Sequence, residues 1–148
     1  CIVINPTAEQ CNLATLNGVA ILSIVQQSDA EKTISAIEKI NAWGSVMACI
    51  IDGDVETKAI DLNNVRIPIG CRVSDISKPL PAWAQFCIMD VANISDVSAC
   101  ADWQKMPVIV SDIRSFEDCV TARNQCAGLQ KDVAAEGDYA GYCIFTTN

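Results

Sequence analysis

Carboxylates are the side chains in this sequence best spaced to do chemistry. Asp52 and Asp90 each close a Cys-Ile-x-Asp run, and Asp112 closes the aliphatic run that starts at Pro107. In open parallel sheets, ligands gather outside the carboxyl ends of the strands. Acids brought together there can divide proton transfer, one acting as acid and the other as base. Convergence of Asp52, Asp90 and Asp112 would make a small secreted hydrolase. The commoner role of Asp at such positions is to stop a strand or cap a helix. Asp52, Asp54 and Glu56 also crowd the oxygen ligands that calcium takes, though not at EF-hand spacing. A solvated acidic turn is the simpler reading of that triplet, so no metal is assigned.

Other chemistries fail on composition. The chain has no histidine, and a serine or cysteine nucleophile usually needs one as its base. No Gly-x-Ser-x-Gly elbow occurs, and no serine–lysine pair stands out. The glycine-rich fingerprints for dinucleotides and phosphates are absent as well. We therefore expect no cofactor and no catalytic residue. Net charge is −8, with only ten Lys and Arg, all scattered. Nucleic acid would need a basic patch. The apolar run at 19–25 is too short to span a membrane.

Nine cysteines in 148 residues is a high count. No Cys-x-x-Cys occurs, so the usual zinc spacings fail. An oxidising compartment accounts for them, with Cys1, Cys11, Cys49, Cys71, Cys87, Cys100, Cys119, Cys126 and Cys143 all disulfide candidates. An odd count leaves at least one thiol unpaired or linked to another chain. Asn93-Ile94-Ser95 is a glycosylation sequon, in keeping with secretion. The chain opens on Cys1 with a strand pattern directly behind it. That start suggests a trimmed mature protein or a fragment, with a lipid-bearing first cysteine as a further option.

The elements that must hold these residues alternate. Strands are expected at 1–5, 19–25, 46–51, 66–73, 86–91, 107–110 and 142–145. A helical turn is expected at 12–16. Ser28 with Glu31 reads as a capping box, opening a helix with Ile34, Ile37, Ile40 and Trp43 along one side. Gly44 follows, where a left-handed residue ends a helix. A short helix is expected at 96–103. Ser115 caps another, with Asp118 at its third position and Phe116, Cys119, Val120, Cys126 and Leu129 facing inward.

This order occurs twice. Cys1-Ile2 answers to Cys87-Ile88, Ile21-Leu22 to Val108-Ile109, Ser28 to Ser115, Cys11 to Cys100, and Cys49-Ile50 to Cys143-Ile144. The reading is one domain over 1–148, with halves at 1–52 and 87–148 joined through 53–86. Cys119 and Cys126 cannot pair with each other. Seven residues of helix hold them about 10 Å apart, beyond disulfide reach, so each needs a partner elsewhere. Trp43, Trp83 and Trp103 lie near helix ends or loops, covering a core edge or anchoring a partner.

From Cys11 to about Leu80 the chain also resembles a protease-associated domain. The residues that carry the likeness are Cys11, Leu16-Asn17-Gly18, the strand at 19–25, Lys32, Ala42-Trp43-Gly44, the strand at 46–51 and Ile67-Pro68. The resemblance implies a non-catalytic lid or interaction module attached to a larger secreted peptidase or a sorting receptor.

Together these readings predict an α/β protein with a mainly parallel or mixed sheet, flanking helices, two related β-β-α-β halves and disulfide bonds. It is expected to be secreted, without a membrane span. Its expected partner is another protein or copies of itself, as a homo-oligomer or as part of a longer chain.

Overall fold

The computed structural model describes residues 1–4, 6–26, 28, 30–40, 44–52, 65–75, 80–94, 106–127 and 133–143. The chain divides into two compact units, Cys1–Cys71 and Arg72–Asn148.

The first unit runs β1 (Ile2–Ile4), α1 (Ala8–Leu16), β2 (Ile21–Gln26), α2 (Ala30–Ile40), β3 (Val46–Asp52) and β4 (Ile69–Arg72), whose last residue opens the second unit. These strands lie in the order β1-β2-β3-β4, and every described pairing is parallel. Parallel strands covered on both faces read as continuous aliphatic runs. Accordingly Ile24, Val25, Cys49, Ile50 and Ile51 are all buried. The ladder steps between Ile21↔Val46 and Leu22↔Ala48, leaving Met47 as the extra residue of a bulge, with its side chain turned outward.

Helix α2 buries Ala30, Ile34 and Ile37. The spacing of three and four residues puts them on one stripe. Gly44 has the left-handed φ of +74° expected past the end of that helix. Thr7 and Gln10 form a reciprocal capping box that starts α1. The helical turn expected at 12–16 is therefore the second half of a nine-residue helix.

The second unit runs β5 (Phe86–Asp90), a 3-10 turn (Val91–Asn93), β6 (Val108–Ser111), α3 (Phe116–Gln125), β7 (Val133–Ala135) and a second 3-10 turn (Ala140–Tyr142). Its strands are again parallel, in the order β5-β6-β7. The ladders match those of the first unit: Ile2 faces Leu22, and Ile88 faces Ile109. Ser115 caps α3 by accepting the Asp118 N–H at 3.1 Å.

Several expectations change. Of the strand expected at 142–145, residues 144 and 145 lie outside the described residues, and neither Tyr142 nor Cys143 is in a strand. Residues 140–142 form a 3-10 turn, and the strand after α3 is Val133–Ala135. Cys143 thus follows a turn whereas Cys49 lies inside a strand. None of the eight described cysteines is in a disulfide. The ninth, Cys100, and the helix expected at 96–103 lie outside the described residues, as do Trp43, Trp103 and Leu129. Ser28 is described, but the residue before α2 is not, so the expected capping box there lies partly outside as well.

Candidate functional site

The strand-end acids of the second unit converge on one end of its sheet, but each has its own partner. Asp90 ends β5 beside Ser111 of β6, and the two are ladder partners. The Ser111 hydroxyl donates to Asp90 Oδ1 at 2.6 Å. Ser111 is buried, and its proton is committed to a carboxylate with no imidazole behind it, so it is not an activated nucleophile. Asp112, one residue on, has a φ of +65°. A side chain in that region costs energy, and Asp tolerates it better than most residues. Its N–H reaches Glu136 Oε2 at 3.4 Å, and its carboxylate takes Arg114 Nε at 2.6 Å. That ion pair lies in solvent, with Arg114 75% and Asp112 44% exposed, so it contributes at most about 1 kcal/mol.

Acid–base work by paired carboxylates needs two acids facing one substrate. Here a hydroxyl occupies Asp90 and a guanidinium occupies Asp112. Asp52 ends β3 in the first unit, half-buried opposite Gln26. Asp54 and Glu56, the other two residues of the calcium triplet, lie outside the described residues. Among the described residues, no group of three cysteines or acids is arranged to hold a metal.

The entry to α3 is ordered by charge. The Arg114 N–H donates to the Asp118 carboxylate at 2.9 Å. That bond, with help from Ser115, holds the carboxyl below its ordinary value of 3.8. Stability from this bond is therefore present above the ordinary carboxylate range and is lost as pH falls through the lowered value.

The thiols are mostly buried. Burial pushes Cys49 up to about 12, opposed by the Ser23 hydroxyl across the ladder and by the Ile50 N–H. Ser23 Oγ is itself buried with no partner in hydrogen-bond geometry among the described residues. Burial likewise raises Cys71 and Cys126 to about 11, and raises Cys11. The thiolate is the nucleophile and metal ligand, so at neutral pH these groups act as small apolar fillers. Cys143 is raised too, first by burial and then by Cys119 beside it.

Several large apolar side chains reach solvent. Helix α1 buries only Cys11 and turns Leu13 and Leu16 outward, 53% and 74% exposed. Helix α3 buries Cys119, Ala122 and Cys126 and turns Phe116 and Val120 outward, 67% and 42% exposed. The expected inward placing of Phe116 and Val120 is thus reversed. The overlooked signal was the small-residue spacing Cys119, Ala122, Cys126, which sets a compact stripe on the covered side. Leu13 and Leu16 were missed because α1 was read as a single turn. Asn93 is exposed at the end of its 3-10 turn, and Trp83 is half-buried.

Comparison with known protein families, curated proteins and solved structures finds no match. Among the described residues, no helix is long and apolar enough to cross a membrane.

Proposed function

We propose that this chain is a non-catalytic extracellular module for protein–protein contact, engaging a protein partner or further copies of itself. One observation carries the reading: two helices each turn a pair of large apolar side chains to solvent, Leu13 with Leu16 and Phe116 with Val120. Adjacent residues of this kind on a helix surface lower their free energy when a partner covers them, and aromatic side chains anchor such contacts. The chemistry supports it from the other side. Burial raises the Cys11, Cys49, Cys71 and Cys126 thiols away from reactivity, and the acids of the second unit are engaged one by one. A secreted hydrolase using Asp52, Asp90 and Asp112 draws less support for the same reason. Secretion rests on the cysteine count and on a sequon whose asparagine is exposed.

Sedimentation velocity of the full chain, from micromolar to sub-millimolar concentration, tests the self-associating form. We expect larger species, weakened about tenfold by Phe116→Glu or Leu16→Glu, the loss that goes with removing one interface anchor. A single monomeric boundary at every concentration ends self-assembly. Association that neither substitution changes ends the role of these helices.

A further inference from the structure

Cys119 and Cys143, 24 residues apart in the chain, meet with their sulfurs 2.7 Å apart. A disulfide bond is about 2.05 Å long, so the sulfurs need to approach by only about 0.7 Å. Backbone on both sides fixes this meeting. Cys119 is the fourth residue of α3, a helix pinned at its start by the Ser115 cap and the Asp118 bond to Arg114. Cys143 is reached from β7 through a series of backbone bonds. The Glu136 N–H donates to Val110 O at 2.9 Å and the Ile113 N–H to Glu136 O at 3.0 Å. The Tyr139 N–H then donates to Ile113 O, and the Cys143 N–H to Ala140 O, each at 3.0 Å.

Gly137 permits the close approach. Its φ is +133°, and a Cβ there would lie 2.4 Å from Ile113 O. The Tyr139 carbonyl sits between the two thiols, accepting from Cys119 Sγ at 3.4 Å and lying 4.0 Å from Cys143 Sγ. Cys119 is buried and Cys143 half-buried, so one sulfur is open to a reagent while the other waits behind it.

We infer that Cys119 and Cys143 form a disulfide that clasps the second 3-10 turn to α3. The oxidant is a small-molecule disulfide. The Cys143 thiolate attacks one of its sulfurs, forms a mixed disulfide and releases one thiol. The Cys119 thiolate then attacks Cys143 Sγ, closes the bond and expels the second thiol. Two protein thiols are oxidised by two electrons, one disulfide of the reagent is reduced, and the two protons leave with its thiols. The clasp stands on geometry inside one unit and does not depend on the partner-binding role.

The full chain is incubated with oxidised glutathione or with a reductant, alkylated under denaturing conditions, digested and mapped by mass spectrometry. We expect a linked peptide joining Cys119 to Cys143 only in the oxidised sample. We also expect a melting temperature about 5–10 °C above that of the reduced protein, from closing a loop of this length. Cys143→Ser abolishes that oxidant-dependent rise. If the variant does not fold, the wild-type peptide map decides alone. Both thiols fully alkylated after oxidation, or Cys119 joined to a different cysteine, overturns the clasp.

Discussion

Helices α2 and α3 each connect two adjacent parallel strands, β2 to β3 and β6 to β7, yet they are held down differently. Helix α2 presses isoleucines onto its sheet, with Ile34 and Ile37 almost fully buried. Helix α3 presents Cys119, Ala122 and Cys126, and sends its larger apolar residues outward. The area removed from water per residue is therefore greater under α2, and burial stabilises at roughly 25 cal/mol per Å². Helix α3 relies instead on a capped, charge-ordered start and on the turn that comes back to touch it at Cys119. The same βαβ frame thus serves one unit as an aliphatic sandwich. In the other it carries a helix set against the two 3-10 turns, with one side left open to solvent.

The sharpest way to break that contrast is to truncate one residue on each helix. Ile37→Ala should cost about 2–5 kcal/mol by chemical denaturation, because it opens a cavity in a packed core. Phe116→Ala should cost less than about 0.5 kcal/mol, as expected at the surface. Equal losses would mean that α3 is buried through Phe116 after all.

The next effect separates the thiols. Cys49, Cys71 and Cys126 have values raised by burial in the folded state. Unfolded thiols ionise near pH 9 while the folded ones hold their protons to about 11 or 12. The unfolded state therefore binds fewer protons in that window. Stability is complete below it and falls as pH rises through it. Denaturation in reductant at stepped pH checks this. Cys49→Ala should flatten the alkaline decline more than Cys126→Ala, since the Cys49 value is raised further.

The smallest effect tests the strand-end turn. Asp112 stands in the left-handed region without being glycine. Asp112→Ala should cost about 1 kcal/mol, losing the Arg114 pair and keeping the unfavourable φ. Asp112→Gly should leave stability within about 0.5 kcal/mol of the parent, because relief of the backbone offsets the lost pair. A glycine variant no more stable than the alanine one would show that backbone conformation does not matter there.

Much of the frame was legible in the sequence, and the misses share a cause. The runs behind β2, β3, β5 and β6 are aliphatic and bounded by turn residues, so local pattern was enough to find them. Ser115 with Asp118 announced the start of α3, since a cap is a contact between near neighbours. Val133–Ala135 gave no such signal. Three small residues become a strand only because Val108, Ile109 and Val110 offer them a ladder. Phe116 was placed inward because its size and spacing suit a core. The small face is the covered one instead. Asp90 and Asp112 were rightly placed at strand ends, but pattern alone could not say that Ser111 and Arg114 would occupy them.

By itself the sequence determined the alternation of strands and helices and the absence of an imidazole, because these follow from composition and from contacts within a few residues. Only the tertiary structure decided that the described strand pairings are all parallel, which face of α3 is covered, that residues 140–142 form a turn, and that Cys119 lies against Cys143. Those outcomes depend on what packs from across the chain. A residue's own neighbours in sequence carry no record of that.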